Sequence, residues 1–251
     1  MTQRPETMAG LTRTEVDRLE NKDFALGKGP LRPRDAATLI LIDPSGKVPL
    51  VLMGRRHSKH SFMPGKFVFP GGRTDPTDAR VKAGTALSPA VEVQLTAGGV
   101  SPARARAIAM SAIRETYEEA GLLIGRRNTF QTSRPDWQGF AENGVVPGLD
   151  QLRYFARATT PPGRVRRFDT RFLAAYRNDI AVALEGGGPT GELEELAWLP
   201  IAEAIELDLP YITRTMLRLL QERLAEDPLL TAPRPVPYYR MRHGRMISDP
   251  L

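Results

Sequence analysis

The chain has 251 residues, enough for one large domain or two small ones, and its 41% hydrophobic residues suffice for a packed core. The absence of cysteine excludes disulfides, thiolate metal sites and a cysteine nucleophile. The net charge of +6 favours anionic partners. No stretch reaches the roughly 18 to 20 apolar residues of a membrane-spanning helix, and no secretory signal precedes the first predicted helix, so we expect a cytoplasmic protein without membrane contact.

The hydrophobic pattern predicts strands and helices in the following chain order. The predicted strands are 36–43, 48–54, 67–69, 153–158, 171–177 and 193–199. The predicted helices are 14–21, 89–95, 102–120, 201–206 and 210–225. We expect one α+β domain over residues 35–230, preceded by an N-terminal arm (1–34) and followed by a C-terminal tail (231–251) that its four prolines make irregular.

Three acidic residues near the end of the helix predicted over 102–120 carry the clearest chemistry. Glu115, Glu118 and Glu119 stand at positions i, i+3 and i+4, so their carboxylates share one helix face. Such like charges repel one another unless a hard cation such as Mg²⁺ or Mn²⁺ compensates them. Arg114 is suited to orient one carboxylate through a two-pronged hydrogen bond. The alternative is a solvated acidic helix face.

This helix and the turn at Gly71–Gly72 together resemble the Nudix hydrolase family. The family's box reads Gly, five residues, Glu, seven residues, then Arg-Glu-apolar-x-Glu-Glu-x-Gly-apolar. Its second half matches residues 114–122, with Thr116 at the apolar position, and its first half starts at Gly72 and puts Asp78 at the Glu position. Residues 79–113 then replace the seven intervening residues, which indicates an insertion of 28 residues within 79–113.

The resemblance implies a Nudix α/β/α sandwich with a central mixed sheet. It also implies hydrolysis of a pyrophosphate linkage in a nucleotide derivative by water, with Mg²⁺ or Mn²⁺ as cofactor. Arg114, Glu115, Glu118 and Glu119 would be the catalytic residues, and the three glutamates the metal ligands, although one of them could instead be the base. A further acid completes the site in many members of the family. The candidates for it are Asp78, Glu192, Glu194 and Glu195.

A split box of this kind resembles the branch with the peroxisomal coenzyme A diphosphatases. Residues 65–72 are similar to part of that branch's coenzyme A signature, whereas residues 52–57 match it only at Leu52 and Arg56. The substrate predicted on this basis is a nucleoside diphosphate derivative, with coenzyme A or acyl-coenzyme A as candidates. ADP-ribose, a dinucleotide and a non-catalytic Nudix nucleotide-binding module remain as alternatives.

Arginine is concentrated in one part of the chain, with seven arginines and one acidic residue over 153–177. A basic strand and loop of this kind could grip phosphates, although a solvated face or ion pairing with the acidic stretch 185–206 would also explain it. A second basic cluster lies at 55–60. The predicted substrate-binding residues are Arg55, Arg56, Gly71, Gly72, Arg167 and Arg171.

The positive charge also raises the question of nucleic acid. No helix-turn-helix, RNA-recognition or zinc signature is present, so the expected partner is a nucleotide-derived small molecule, with nucleic acid only as a capped end. The insertion is a candidate for a lid or for the contact of a homodimer.

Overall fold

The computed structural model describes residues 7–20, 29, 31–58, 63–232 and 234–251. Its helices are α1 (Arg13–Glu20), α2 (Pro89–Thr96), α3 (Pro102–Ala120), α4 (Gln138–Glu142), α5 (Ile201–Glu206) and α6 (Tyr211–Glu226). Its strands are β1 (Arg34–Asp43), β2 (Leu50–Arg56), β3 (Phe67–Val68), β4 (Gly71–Arg73), β5 (Leu122–Arg127), β6 (Val145–Pro147), β7 (Arg153–Thr159), β8 (Phe168–Tyr176), β9 (Ile180–Ala183), β10 (Leu193–Pro200), β11 (Pro237–Arg242) and β12 (Arg245–Pro250).

A mixed sheet forms the centre of the molecule, in the order β10-β2-β1-β8-β7-β11-β12. β1 and β8 pair in parallel, β2 pairs antiparallel to β1, and the short β4 pairs with the start of β1. A second sheet of order β6-β5-β9 lies beside it. The described residues therefore have the predicted α+β class with a central mixed sheet.

The strand β1 separates two apolar cores because its side chains alternate between the faces of the sheet. Leu39 and Leu41 pack in the core that contains much of α3, and Ile40 and Ile42 pack in the core that contains α6. Helices thus cover both faces, which confirms the predicted α/β/α sandwich. Among the described residues, no helix is long and apolar enough to cross a membrane.

The helix α3 begins and ends at the residues that the sequence indicates. The Ser101 side chain accepts a hydrogen bond from the Arg104 backbone amide at 3.3 Å, and Pro102 occupies the first helical position. Gly121 ends the helix with φ of 68°, a left-handed conformation that favours glycine. This boundary places the acidic residues in the last two turns of α3.

The prediction of an irregular C-terminal tail was wrong. The strands β11 and β12 form a hairpin, and β11 adds to the central sheet beside β7. The Arg13 backbone amide donates to the Gly244 carbonyl at 2.8 Å, so the helix of the N-terminal arm docks on this hairpin. A proline is tolerated at the first residue of a strand and on an edge strand, and Pro237 begins β11 while Pro250 ends the edge strand β12.

Candidate active site

The three predicted glutamates lie on α3 beside the turn between β3 and β4. Glu119 is buried, with 3% of its surface exposed, while the side chains of Glu115 and Glu118 retain 14% and 19% exposure. The structure therefore excludes a solvated acidic face for this part of α3. Carboxylates held this far from water need specific partners.

Arg114 is the shared partner of Glu115, Glu118 and Asp78. Its Nη1 donates to Glu115 Oε1 and to Glu118 Oε2, both at 2.8 Å. Its Nε and Nη2 donate to the carboxylate of Asp78 at 3.1 and 3.2 Å. Burial lowers the pKa of Arg114, but the charge of Glu115 and the bond to Asp78 outweigh burial and raise it. One guanidinium thus holds three carboxylates.

Asp78 faces Arg114 and does not line the cleft. It is 2% exposed and sits on the 3-10 turn Pro76–Arg80, where its backbone amide bonds the Asp75 carbonyl. We predicted Asp78 from the sequence as a further acid of the site, and the structure makes it a support for the guanidinium. The first half of the box thus returns to α3 despite the 35 residues between them.

Two glycines let the β3–β4 turn approach α3 closely. The Gly71 backbone amide donates to Glu119 Oε2 at 2.9 Å. A Cβ on Gly72 would collide with the carboxylate of Glu115, and one on Gly71 would collide with the backbone of Thr38. Position 71 therefore requires glycine, and a side chain at position 72 would displace the Glu115 carboxylate. Both glycines line the cleft beside the acids.

Burial shapes the acidity of this cluster. It raises the pKa of Glu119 to about 8 and of Glu118 to about 7, because the charged forms lose hydration. Burial also raises the pKa of Glu115, against the opposing charge of Arg114. The charge of Glu115 further disfavours ionisation of Glu118 and Glu119. A further positive charge beside these carboxylates would therefore favour their ionised forms.

The three downstream glutamates pair one to one with the basic residues 55–57 at the end of β2. Arg55 pairs with Glu195 at 2.9 Å and His57 with Glu194 at 3.2 Å, at the exposed rim. Arg56 points inward, with its Nη2 3.4 Å from Glu192 and its Nη1 3.8 Å from Glu119.

The three downstream glutamates differ in their position relative to the cleft. Only Glu192 of the three lines the same cleft as Glu115 and Glu119. Arg56 lines that cleft and Arg55 does not. The remaining basic residues of this cluster, Lys59 and His60, lie outside the described residues.

Two predicted substrate-binding arginines do not reach the cleft. Arg171 is 1% exposed and bonds the carboxylate of Asp35 at 2.9 Å and the Asp169 backbone carbonyl at 2.9 Å. Arg167 donates to the Thr160 and Leu31 carbonyls. Arg166, which no sequence feature distinguishes from the other arginines of 153–177, lines the cleft instead.

The cleft itself has a volume of about 380 Å³. Its lining combines acidic residues, the two glycines and Arg56 with several apolar side chains. The apolar lining residues include Met63, Val68, Phe69, Phe168, Phe172 and Ile212. A molecule with a charged part and a less polar part fits this mixed lining.

Comparison with known proteins identifies the family of this chain. A family model of the NUDIX domain matches residues 32–220. The chain belongs to the Nudix family. A Caenorhabditis elegans protein assigned to the family as nudix hydrolase 7 is 28% identical over 197 residues, which are 73% of this chain and 57% of that protein. The chain thus spans little more than half the length of this relative.

A solved structure supports the same assignment. The crystal structure of a NUDIX hydrolase from Alicyclobacillus acidocaldarius is 27% identical to this chain, with a TM-score of 0.59. The match covers 81% of this chain and 99% of that one. The Nudix fold thus accounts for the central sheet and the helices on its two faces.

Nudix enzymes generally use divalent cations, and the donor set of this Nudix domain fits one. Within the described ranges, no three acidic or histidine side chains are already arranged around a metal position. Glu115 and Glu118 turn towards Arg114, and Glu119 turns towards Gly71. The donors are nevertheless all carboxylate oxygens, Glu115 and Glu119 line the cleft, and burial has raised the pKa values of all three glutamates. A hard divalent cation would relieve that cost.

The raised pKa of Glu119 predicts how the stability of the metal-free Nudix domain depends on pH. Between its ordinary value of 4.5 and about 8, the folded state holds a proton that the unfolded state releases, so the free energy of unfolding falls as pH rises. Glu119→Gln should reduce this fall by about 2 kcal/mol. Urea unfolding at pH 5 and pH 8 with a chelator measures it. The exposed Glu203→Gln should behave as the wild type, and an unchanged fall in Glu119→Gln would contradict the assignment.

Proposed function

We propose that this protein is a Mg²⁺- or Mn²⁺-dependent hydrolase that cleaves the pyrophosphate linkage of a nucleoside diphosphate derivative. One observation carries the proposal. The acidic residues Glu115, Glu119 and Glu192 and the basic residue Arg56 line a single cleft. Carboxylates attract the cations and arginines attract the phosphates, and a metal-bound diphosphate needs both together.

The chain's own residues account for the arrangement of the reaction. Glu115, Glu118 and Glu119 would hold the cations, and Glu192 is the downstream acid that best completes the set. When bound, a divalent cation neutralises phosphate charge and acidifies water. Arg114 fixes one oxygen of Glu115 and one of Glu118, and the Gly71 amide fixes one oxygen of Glu119. The second oxygens of Glu115 and Glu118 would then serve a cation or accept the proton of the attacking water, and that of Glu119, 3.8 Å from Arg56, would serve beside that arginine.

Arg56 and Arg166 are the residues that we assign to the phosphates of the substrate. Both line the cleft, and Arg56 already lies between Glu119 and Glu192. We leave Arg55, Arg167 and Arg171 out of the phosphate site, because their partners in the fold hold them elsewhere. Gly71 and Gly72 have no side chains, so that the diphosphate can come close to the acids.

Coenzyme A or acyl-coenzyme A is the substrate that we favour within this class. The support is the resemblance of residues 65–72 to the coenzyme A signature and the split between Asp78 and Arg114. The apolar side chains that line part of the cleft suit a weakly polar group attached to the diphosphate. ADP-ribose and dinucleotides share the diphosphate and serve as the competing substrates in the test.

Replacement of one acidic side chain tests the proposed reaction. Purified protein with Mg²⁺ or Mn²⁺ is incubated with coenzyme A, acetyl-coenzyme A, ADP-ribose and a nicotinamide dinucleotide, and the phosphate-containing products are followed. Glu118→Gln should lower kcat at least about a hundredfold, since it removes a proposed cation ligand. Glu203→Gln, on the exposed side of α5, should retain full activity.

The outcomes separate the family assignment from the substrate. A wild-type protein that turns over none of the substrates, like Glu118→Gln, would contradict the enzymatic proposal and favour a binding module. Selective turnover of ADP-ribose would contradict coenzyme A alone.

The two neighbouring arginines of β2 provide a matched pair of variants. Arg56→Met should raise KM about tenfold or more, because it removes a charge-assisted phosphate contact of about 1.5–3 kcal/mol. Arg55→Met should change KM less than about twofold, because Arg55 pairs with Glu195 at the rim. Steady-state kinetics with the preferred substrate measures both. Equal effects of the two variants would contradict the assignment of Arg56.

A further inference from the structure

Trp137 lies outside the Nudix box and contacts Asp78, the carboxylate that bonds Arg114. It ends the 3-10 turn Pro135–Trp137 just before α4 and is 1% exposed. Its ring packs on Phe140 with centroids 5.0 Å apart. Its Nε1–H donates to Oδ1 of Asp78 at 3.3 Å. A buried indole that bonds a buried carboxylate is well placed to fix the orientation of that carboxylate.

Asp78 passes this orientation on to the acids through Arg114. Nε and Nη2 of Arg114 lie against Asp78, and Nη1 lies against Glu115 and Glu118. The guanidinium is planar, so fixing one edge fixes the direction of the other. Rotation of the Asp78 carboxylate would therefore move the guanidinium that bonds Glu115 and Glu118.

The segment around Trp137 is built to lie close to α3. A Cβ on Gly139 would collide with the hydroxyl group and ring of Tyr117. Tyr117 also packs edge-on against Phe140, with centroids 5.5 Å apart. The absence of a side chain at position 139 lets α4 pack against α3, the helix that carries the acids. This packing places Trp137 within hydrogen-bond distance of Asp78.

We propose that Trp137 is a positioning residue, which orients Asp78 and through it Arg114, and so arranges Glu115 and Glu118 for the divalent cation. This inference rests on the proposed function. The chain has the shorter Asp78 where the family pattern has glutamate, and the indole N–H supplies a further donor to that carboxylate. The alternative is that the Trp137 N–H bonds Asp78 only to satisfy its own hydrogen bond in the core, without affecting Arg114.

The test measures the affinity for Mn²⁺ alone, by calorimetry, beside steady-state kinetics. Trp137→Phe removes the N–H and keeps an aromatic ring. It should weaken Mn²⁺ binding about tenfold and lower kcat about tenfold, with KM changed less than about threefold, the range seen for residues that support metal ligands. Phe140→Leu disturbs the same packing and keeps the N–H. It should lower Tm at least as much and leave Mn²⁺ affinity within about twofold.

A double-mutant cycle decides whether the effect passes through Asp78. In an Asp78→Ala background, Trp137→Phe should change Mn²⁺ affinity less than about twofold. If Trp137→Phe does not fold, 3-benzothienylalanine at position 137 keeps the shape of the ring without the N–H. Wild-type Mn²⁺ affinity in Trp137→Phe, or equal losses in Phe140→Leu, would overturn the inference. Absence of wild-type turnover would overturn the proposed reaction alone, since the Mn²⁺ affinities still decide the role of Trp137.

Discussion

The structure depends on one buried guanidinium. Asp78, Glu115 and Glu118 all bond Arg114, and Glu119 follows Glu118 on α3. Carboxylates so close together and so far from water would not ionise without a cation among them. Arg114 supplies one positive charge and a planar set of donors, which satisfies part of the demand. The remainder is what a divalent cation would supply.

The surrounding architecture serves to keep that group in place. Ser101 and Gly121 define the ends of α3, so the acids fall in its last two turns. Gly71 and Gly72 allow the neighbouring turn to contact those acids directly. Asp78 accepts bonds from Arg114 and from Trp137, which lies on a third segment of the chain. The contacts of Gly71, Asp78 and Trp137 join residues that are distant in sequence, which is why a box divided by 35 residues still forms one site.

The sequence was sufficient for the elements whose pattern is local. The acidic triplet, the cap at Ser101 and the stop at Gly121 are all read within α3, and each has the predicted position. The strands β11 and β12 could not be predicted in the same way, because their stability comes from pairing with each other and with β7. Short strands gain little from their own residues.

The arginines show the same limit within the candidate site. Local density marked the segment 153–177, but ion pairs with distant acids decide the role of each side chain. Arg157 pairs with Asp169, and Arg171 with Asp35, while Arg166 lines the cleft. Neither the burial of Arg171 nor the contact of Trp137 with Asp78 has a sequence pattern, because both are set by how the strands and loops pack.

The central claim is that the carboxylates on α3 bind divalent cations. The most direct measurement is the anomalous scattering of Mn²⁺ in crystals of the protein soaked with this ion. Our account predicts a strong peak within coordination distance of Glu115, Glu118 and Glu119. A peak only at other acidic residues, or none beside α3 at a Mn²⁺ concentration that supports activity, would contradict it.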